Sequence, residues 1–377
     1  MEKRYLLAPG PTAIPPEVLL KMAEPMIHHR NPLFEAVMEE VRAGLKHLFR
    51  TKNEVLIFAS SGTGAMESAV TNLLSPGDKA ICVRGGKFGE RWAEICNAYG
   101  VEAINIDVPW GDEFDPGAVE KALKSAPDIK AVYMAATETS TGALFPCKEV
   151  AAIVKNYPDT LMVVDGITAI GVFDLPQDAW NIDVLVGGSQ KALMLPPGLA
   201  FAGVSDKAWA ASKKSKLPKF YFNWAKELSN LQKNQTNFTP AISLIVGLRE
   251  SLRLIREEGI ENVYKRIEAL ARATRAGAEA LGLTIFPKQP SPAVTVIVAP
   301  SGIDGQAIYK TLWKKYGVTG AGGQDRLKGK IFRIATLGYA GPYDVITAIS
   351  ALEFTLRDLG YKFEMGKGVA AAVQSLA

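Results

Sequence analysis

Short apolar runs rich in β-branched residues alternate along this chain with stretches whose apolar positions recur every three or four residues. Runs at 55–59, 80–83, 103–106, 131–135, 161–164 and 184–186 predict strands. Between them the spacing predicts helices around 65–74, 88–98, 116–124 and 149–155. Asn31-Pro32 reads as a helix cap followed by proline at the first helical position, and the helix behind it places Val37, Met38, Val41, Leu45 and Leu48 on one face. Asp115-Pro116 repeats that signal, and Gly100 stands where a helix C-terminus favours glycine. This alternation is the pattern of an α/β fold with a mostly parallel central sheet.

A helical pattern from about 240 to 258 stops at Gly259, and the chain then changes character. A helix near 263–281, strands near 294–298 and 331–335, and helices near 306–316 and 343–359 predict a smaller α+β domain. We expect an N-terminal arm over residues 1–20, a large domain over 21–257 and a small domain over 258–377. Pro9, Pro11, Pro15 and Pro16 make the arm extended rather than helical.

Composition narrows the function classes. Of 377 residues, 48% are hydrophobic and 22% charged, and 43 basic against 39 acidic residues leave a net charge of only +4. The one basic cluster, Lys213, Lys214, Lys216 and Lys219, reads as a solvated loop, so neither nucleic acid nor a membrane surface is an expected partner. The apolar stretch at 192–204 is broken by Pro196-Pro197-Gly198 and is too short to span a bilayer. Met1-Glu2-Lys3-Arg4 opens no signal-peptide core, and a cytoplasmic location is expected. Cys82, Cys96 and Cys147 form no CxxC pair, and the three histidines, His28, His29 and His47, no metal motif, so no metal is expected.

Three segments carry candidate chemistry. Ser60-Ser61-Gly62-Thr63-Gly64 lies between a strand and a helix, where backbone N–H groups suit a phosphate; an ordinary turn is the alternative. Asp165 ends an apolar strand, at the edge where open parallel sheets bind ligands, and is either a helix cap or the partner of a cationic ligand group. Lys191, in Gly187-Gly188-Ser189-Gln190-Lys191, follows the next strand among small and apolar neighbours. Such a buried amine has a lowered pKa and can act as a Schiff-base nucleophile. A phosphate cradle, a strand-end aspartate and a lysine 26 residues after it are what pyridoxal phosphate requires.

At this point the sequence resembles the class V aminotransferases of pyridoxal-phosphate fold type I, nearest to the alanine–glyoxylate and serine–pyruvate or serine–glyoxylate branch. The shared pieces run in order over nearly the whole chain: Ala8-Pro9-Gly10-Pro11-Thr12, Ser61-Gly62-Thr63, Asn72-Leu73-Leu74-Ser75-Pro76-Gly77-Asp78, Glu138-Thr139-Ser140-Thr141-Gly142, Val164-Asp165, Gly188-Ser189-Gln190-Lys191, Thr239-Pro240 and Phe332-Arg333-Ile334. The resemblance implies that Lys191 carries the cofactor and moves the proton, and that Asp165 pairs with the pyridine nitrogen. It further implies that Thr139 approaches the ring hydroxyl and that Ser61, Gly62, Thr63 and Gln190 hold the phosphate, joined across a homodimer interface by Thr239 and Thr236. Ile167 is implied on one ring face and Arg333 on the substrate α-carboxylate. Thr239 remains open to a helix-cap role, and Ile167 to a core role. Phe88 stands where the family often has a ring-stacking tryptophan, Thr63 where relatives carry histidine, and Gly166-Ile167-Thr168 replaces a hydroxyl-rich run.

The implied activity is transamination between alanine or serine and glyoxylate or pyruvate. Rival readings are another donor (aspartate, aminoethylphosphonate or ureidoglycine), a cysteine desulfurase, which needs a nucleophilic cysteine in the small domain whereas none follows Cys147 here, and a non-catalytic hydrogenase subunit, which has no need of Asp165 and Lys191. Arg30 is the one motif-associated candidate for a second, side-chain carboxylate, with a structural role near the arm equally open.

Overall fold

The computed structural model describes residues 3–126 and 128–377. Met1 and Glu2 of the expected arm lie outside the described residues. Strand β1 (Tyr5–Leu6) leads into α1 (Pro16–Met22) and α2 (Pro32–Phe49). The extended segment therefore ends at Pro15, and residues 16–20 are helical rather than part of the arm. Proline is well tolerated there, because the first helical N–H has no intrahelical partner to lose. In α2 the Asn31 side chain accepts the Leu33 N–H at 2.7 Å, and the expected apolar face is buried.

The next elements are β2 (Val55–Ser60), α3 (Gly62–Leu73), β3 (Lys79–Arg84), α4 (Lys87–Ala98), β4 (Glu102–Asp107), α5 (Gly117–Ser125) and β5 (Ile129–Ala135). A small hairpin, β6 (Thr137–Glu138) and β7 (Ala143–Leu144), precedes α6 (Cys147–Val154), β8 (Leu161–Asp165), β9 (Val184–Gly188) and β10 (Gly198–Val204). Seven strands form one sheet in the order β2-β10-β9-β8-β5-β3-β4. Its pairs are parallel from β9 through β4, whereas β10 runs antiparallel to both neighbours. Strand β10 was not expected. It follows β9 through residues 189–197, too short a connection for a parallel crossover, and so returns antiparallel, and Pro196-Pro197-Gly198 at its start hides an otherwise buried strand.

The register places the C-terminal ends of β2, β8 and β9 along one edge. Gly198 pairs with Ser60, Ala200 with Gly188, and Asp165 with Val186. The sequence segments that follow these three ends are those singled out for chemistry.

Beyond the sheet come α7 (Asp206–Ser212), α8 (Trp224–Leu231), α9 (Ile242–Glu258) and α10 (Ile260–Ala280). They are followed by β11 (Thr295–Val298), α11 (Gly305–Tyr316), β12 (Val318–Thr319), β13 (Ala321–Gly322), β14 (Ile331–Ile334), α12 (Pro342–Asp358) and α13 (Lys367–Leu376). A three-stranded antiparallel sheet, β11-β14-β13, carries Arg333 on its middle strand. One hydrophobic core surrounds the seven-stranded sheet, and a second gathers Ile308, Leu312, Phe332, Ile334, Ile349 and Leu352. The arm ties into the second core: β1 pairs with β12 in parallel, and Leu7 is buried there. Among the described residues no helix is long and apolar enough to cross a membrane.

Candidate active site

The start of α3 faces the strand-end edge. Ser61 has extended backbone angles (φ −80°, ψ 165°) and makes no side-chain cap, so no side chain at the cap takes the first N–H groups of this 12-residue helix. A Cβ on Gly62 would lie 2.4 Å from Ile167 Cδ1, so the helix start packs directly on Ile167. Thr63 Oγ1 accepts a 3.1 Å hydrogen bond from Arg91 Nη1. Behind Gly188 lies Gln190, whose buried Oε1 has no partner among the described residues.

Asp165 is 5% exposed, and among the described residues its side-chain carboxylate accepts one hydrogen bond, from the Ile167 N–H at 2.8 Å. Burial raises its pKa to about 7, a poor situation for a carboxylate unless a cation joins it. Lys191 is 9% exposed, and burial lowers its pKa to about 8, against the opposing pull of Asp165. Its Nζ donates to the Pro9 carbonyl oxygen. Gly10 has φ 145°, and a Cβ on it would come within 2.5 Å of Nζ, so this approach requires glycine. Thr12 fastens the arm further, donating its hydroxyl to the Lys191 carbonyl at 2.9 Å.

Opposite these, the Thr139 hydroxyl donates to Thr168 Oγ1 at 2.8 Å, and its carbonyl accepts Arg333 Nη1 at 2.9 Å. Arg333 is 6% exposed and also donates to the Gly322 carbonyl through Nε (3.2 Å) and Nη2 (2.9 Å). Burial lowers its pKa to about 10, so it stays cationic at neutral pH. Phe88, half-buried in the first turn of α4, carries the Arg91 guanidinium 4.9 Å above its ring.

Ser61, Gly62, Thr63, Phe88, Thr139, Asp165, Ile167, Gln190, Lys191 and Arg333 are thus linked by these contacts and by shared electrostatics. Thr236 and Thr239 stand apart within the one chain. Thr236 is buried and donates to the Phe238 carbonyl at 2.7 Å; Thr239 is exposed, and both line a narrow cavity with Tyr221 and Glu227. Arg30 is exposed, and its Nη1 donates to Gln235 Oε1 at 2.6 Å. Sequence reasoning did not name Arg91, a basic residue three positions after Phe88 on a predicted helix, and gave Pro9 and Thr168, which stood in quoted segments, no role at the site.

The donor set fits the cofactor that the sequence implies. An open helix start suits a phosphate, and an under-bonded buried carboxylate suits a protonated ring nitrogen. A desolvated amine suits an aldehyde, and Gln190 could offer a phosphate its amide N–H groups, though not its unpartnered Oε1, which is an acceptor.

Comparison with known proteins bears on the family and the fold. The family model for class-V aminotransferases matches residues 4–327. A protein named soluble hydrogenase small subunit, from Synechococcus sp., is 43% identical over 100% of this chain and 99% of its own length. An L-aspartate–glyoxylate aminotransferase of Paracoccus denitrificans is 35% identical over 97% of this chain and 94% of its own. A serine–glyoxylate aminotransferase of Methylorubrum extorquens is 35% identical over 98% and 95%. The crystal structure of ureidoglycine–glyoxylate aminotransferase from Bacillus subtilis superposes with a TM-score of 0.95 at 30% identity, covering 100% of this chain and 98% of that one.

Proposed function

The chain belongs to the class V aminotransferases, enzymes that use pyridoxal phosphate, and from that membership we propose that it moves an amino group between a small amino acid, alanine or serine, and glyoxylate or pyruvate. When bound, the cofactor supplies an aldehyde for amines and a ring that withdraws electrons from the substrate α-carbon. Lys191, with its pKa near 8, has a substantial neutral fraction around pH 7–8, so it would hold the cofactor at its aldehyde and would move a proton at the substrate α-carbon. Asp165 holds the proton on the ring nitrogen. Ser61, Gly62, Thr63 and Gln190 would hold the phosphate; Ile167 and Phe88 would pack on the ring, and Thr139 would approach its hydroxyl. Thr236 and Thr239 reach the phosphate from a second copy of the chain, which makes the working unit a homodimer. A cytoplasmic location and a division of the chain near residue 257 belong to the same proposal.

One observation carries the choice of donor: Arg333 is the single arginine among these groups left to face a substrate. It suits a bidentate hold on an α-carboxylate. Arg91 is turned to Thr63 and Phe88, and Arg30 is held at the surface by Gln235. A donor with a second carboxylate would bury that charge unpaired. The L-aspartate–glyoxylate relative supports aspartate as a second reading. The hydrogenase-subunit names would make the chain a structural partner, but a buried Lys191 opposite a buried Asp165 is a costly arrangement for a subunit without chemistry. A panel of alanine, serine, aspartate, aminoethylphosphonate and ureidoglycine against glyoxylate, pyruvate and 2-oxoglutarate tests the reading. Turnover of aspartate well above alanine and serine would refute it.

A further inference from the structure

Glu138 is fully buried beneath this site, and none of the roles above uses it. It ends β6, at the turn of the small hairpin, yet its partners lie fifty residues away at the start of α4. Its Oε2 accepts the N–H of Phe88 at 3.1 Å and of Gly89 at 2.9 Å. Its Oε1 accepts the Ser140 N–H at 3.1 Å and hydroxyl at 2.6 Å. Ser140 Oγ in turn accepts the Lys87 N–H at 3.1 Å. The three opening N–H groups of α4 are therefore all taken by this hairpin. Gly86, the residue at the cap position, has no side chain to offer, and a Cβ there would lie 2.4 Å from Glu138 Cδ. Every partner is a donor, as an ionised carboxylate requires, and the positive end of the helix favours the charge.

The next residue after Glu138 is Thr139, whose carbonyl holds Arg333. The first residue whose N–H Glu138 takes on α4 is Phe88. One carboxylate thus fastens together the aromatic ring assigned to the cofactor and the arginine assigned to the substrate. We propose that Glu138 is a positioning residue for the reaction: it caps α4 from across the fold and so sets Phe88 against the cofactor and, through Thr139, Arg333 against the substrate carboxylate. The inference rests on the reading of Phe88 and Arg333 given above. It adds a residue that touches neither cofactor nor substrate.

Glu138→Gln keeps the shape but turns amide hydrogens toward backbone N–H groups. Pyridoxal phosphate is titrated into the cofactor-free protein by fluorescence, unfolding is followed in parallel, and steady-state kinetics use the best donor of the panel. The expected variant folds, binds pyridoxal phosphate at least tenfold more weakly, and shows a donor KM raised at least tenfold. A purely structural role would lower the unfolding temperature while leaving both constants of the folded protein unchanged, and that result overturns the proposal. If Glu138→Gln does not fold, Ser140→Ala carries the test. It removes the hydroxyl that bridges Glu138 and Lys87, and roughly threefold losses in both constants are expected; unchanged constants overturn the proposal equally. The cofactor titration compares variant with parent whatever the donor. A parent protein that binds pyridoxal phosphate but ignores alanine and serine would therefore sink the donor reading alone.

Discussion

The Pro9 carbonyl oxygen accepts a hydrogen bond from Lys191 Nζ, closing the N-terminal arm over the amine that the site is built around. The contact excludes water from Lys191, and that desolvation holds its pKa near 8. Capture of pyridoxal phosphate by the cofactor-free enzyme should then accelerate with pH, with a midpoint near 8 rather than the ordinary lysine value of about 10.4. Recovery of the yellow colour in a stopped-flow pH series measures it. Lys191→Ala should leave no cofactor that borohydride can fix to the protein; a covalent adduct surviving in that variant would show that another lysine does the work.

Asp165 makes the cofactor-free protein sensitive to pH in the opposite sense. Its folded pKa of about 7 lies above the unfolded value of about 4, so between those limits the folded state holds more protons. Stability is therefore greatest at the acid end of that window and is lost as pH rises through 7, by on the order of 3–4 kcal/mol at most. Burial raises Glu138 and Glu227 in the same direction, so the informative quantity is the difference between parent and Asp165→Asn. That variant should show the flatter profile in denaturant melts from pH 4 to pH 8. Added pyridoxal phosphate should flatten the parent as well, because a cationic ring nitrogen beside Asp165 lowers its pKa. Identical slopes in parent and variant would place the titration elsewhere.

The legible parts of the fold were those with local causes. Apolar runs marked six of the seven strands of the central sheet, and Asn31-Pro32 marked the start of α2 through a cap bond spanning two residues. Asp115-Pro116 lies one position earlier than expected relative to α5, with Pro116 rather than Asp115 at the cap, though Asp115 accepts the Gly117 N–H at 2.8 Å. Asp165 and Lys191 were readable because strand ends of an open sheet face a crevice. What escaped depended on distant partners. Strand β10 is stabilised by pairing on both sides, a property of neighbours that a proline-interrupted run does not display. Glu138 stood in a recognisable motif, but its use follows from Phe88 and Gly89, which only the folded chain brings near. The helical start at Pro16 was lost among four prolines that otherwise argue for extension.

A second copy of the chain should cover the surface around Thr239. Met26, Leu33 and Phe220 are 68%, 63% and 74% exposed. Phe220 packs 5.9 Å from Phe238, Tyr221 stacks on Phe238 at 5.0 Å, and Arg30 joins the Met26–Leu33 region to Gln235. Large apolar side chains left in water around one segment mark an interface. Sedimentation should show a dimer, and Phe220→Asp combined with Leu33→Asp should give a monomer that binds pyridoxal phosphate at least tenfold more weakly. A fully active monomer at assay concentration would separate Thr236 and Thr239 from the phosphate.

Arg333 should decide binding for every donor, and no other arginine should select among them. Its three hydrogen bonds to the Thr139 and Gly322 carbonyls hold the guanidinium in place, buried and still charged. Truncating one partner of a buried charge pair costs about 2–5 kcal/mol, so Arg333→Ala should lose at least about 30-fold in kcat/KM with alanine, serine and aspartate alike. Arg333→Lys should recover little, because an ammonium cannot reproduce the two-pronged contact. Arg30→Ala should change no donor preference, since Arg30 is spent on Gln235 at the surface. Alanine or serine should keep the higher kcat/KM over aspartate, whose second carboxylate finds no cation and would be buried at a cost of several kcal/mol, of order 3 or more. Measured kcat/KM values for the three donors in parent, Arg333→Ala and Arg30→Ala decide the matter. A preference for aspartate that vanishes only in Arg30→Ala would mean that the pocket reaches out to the Arg30–Gln235 contact and takes a dicarboxylate there.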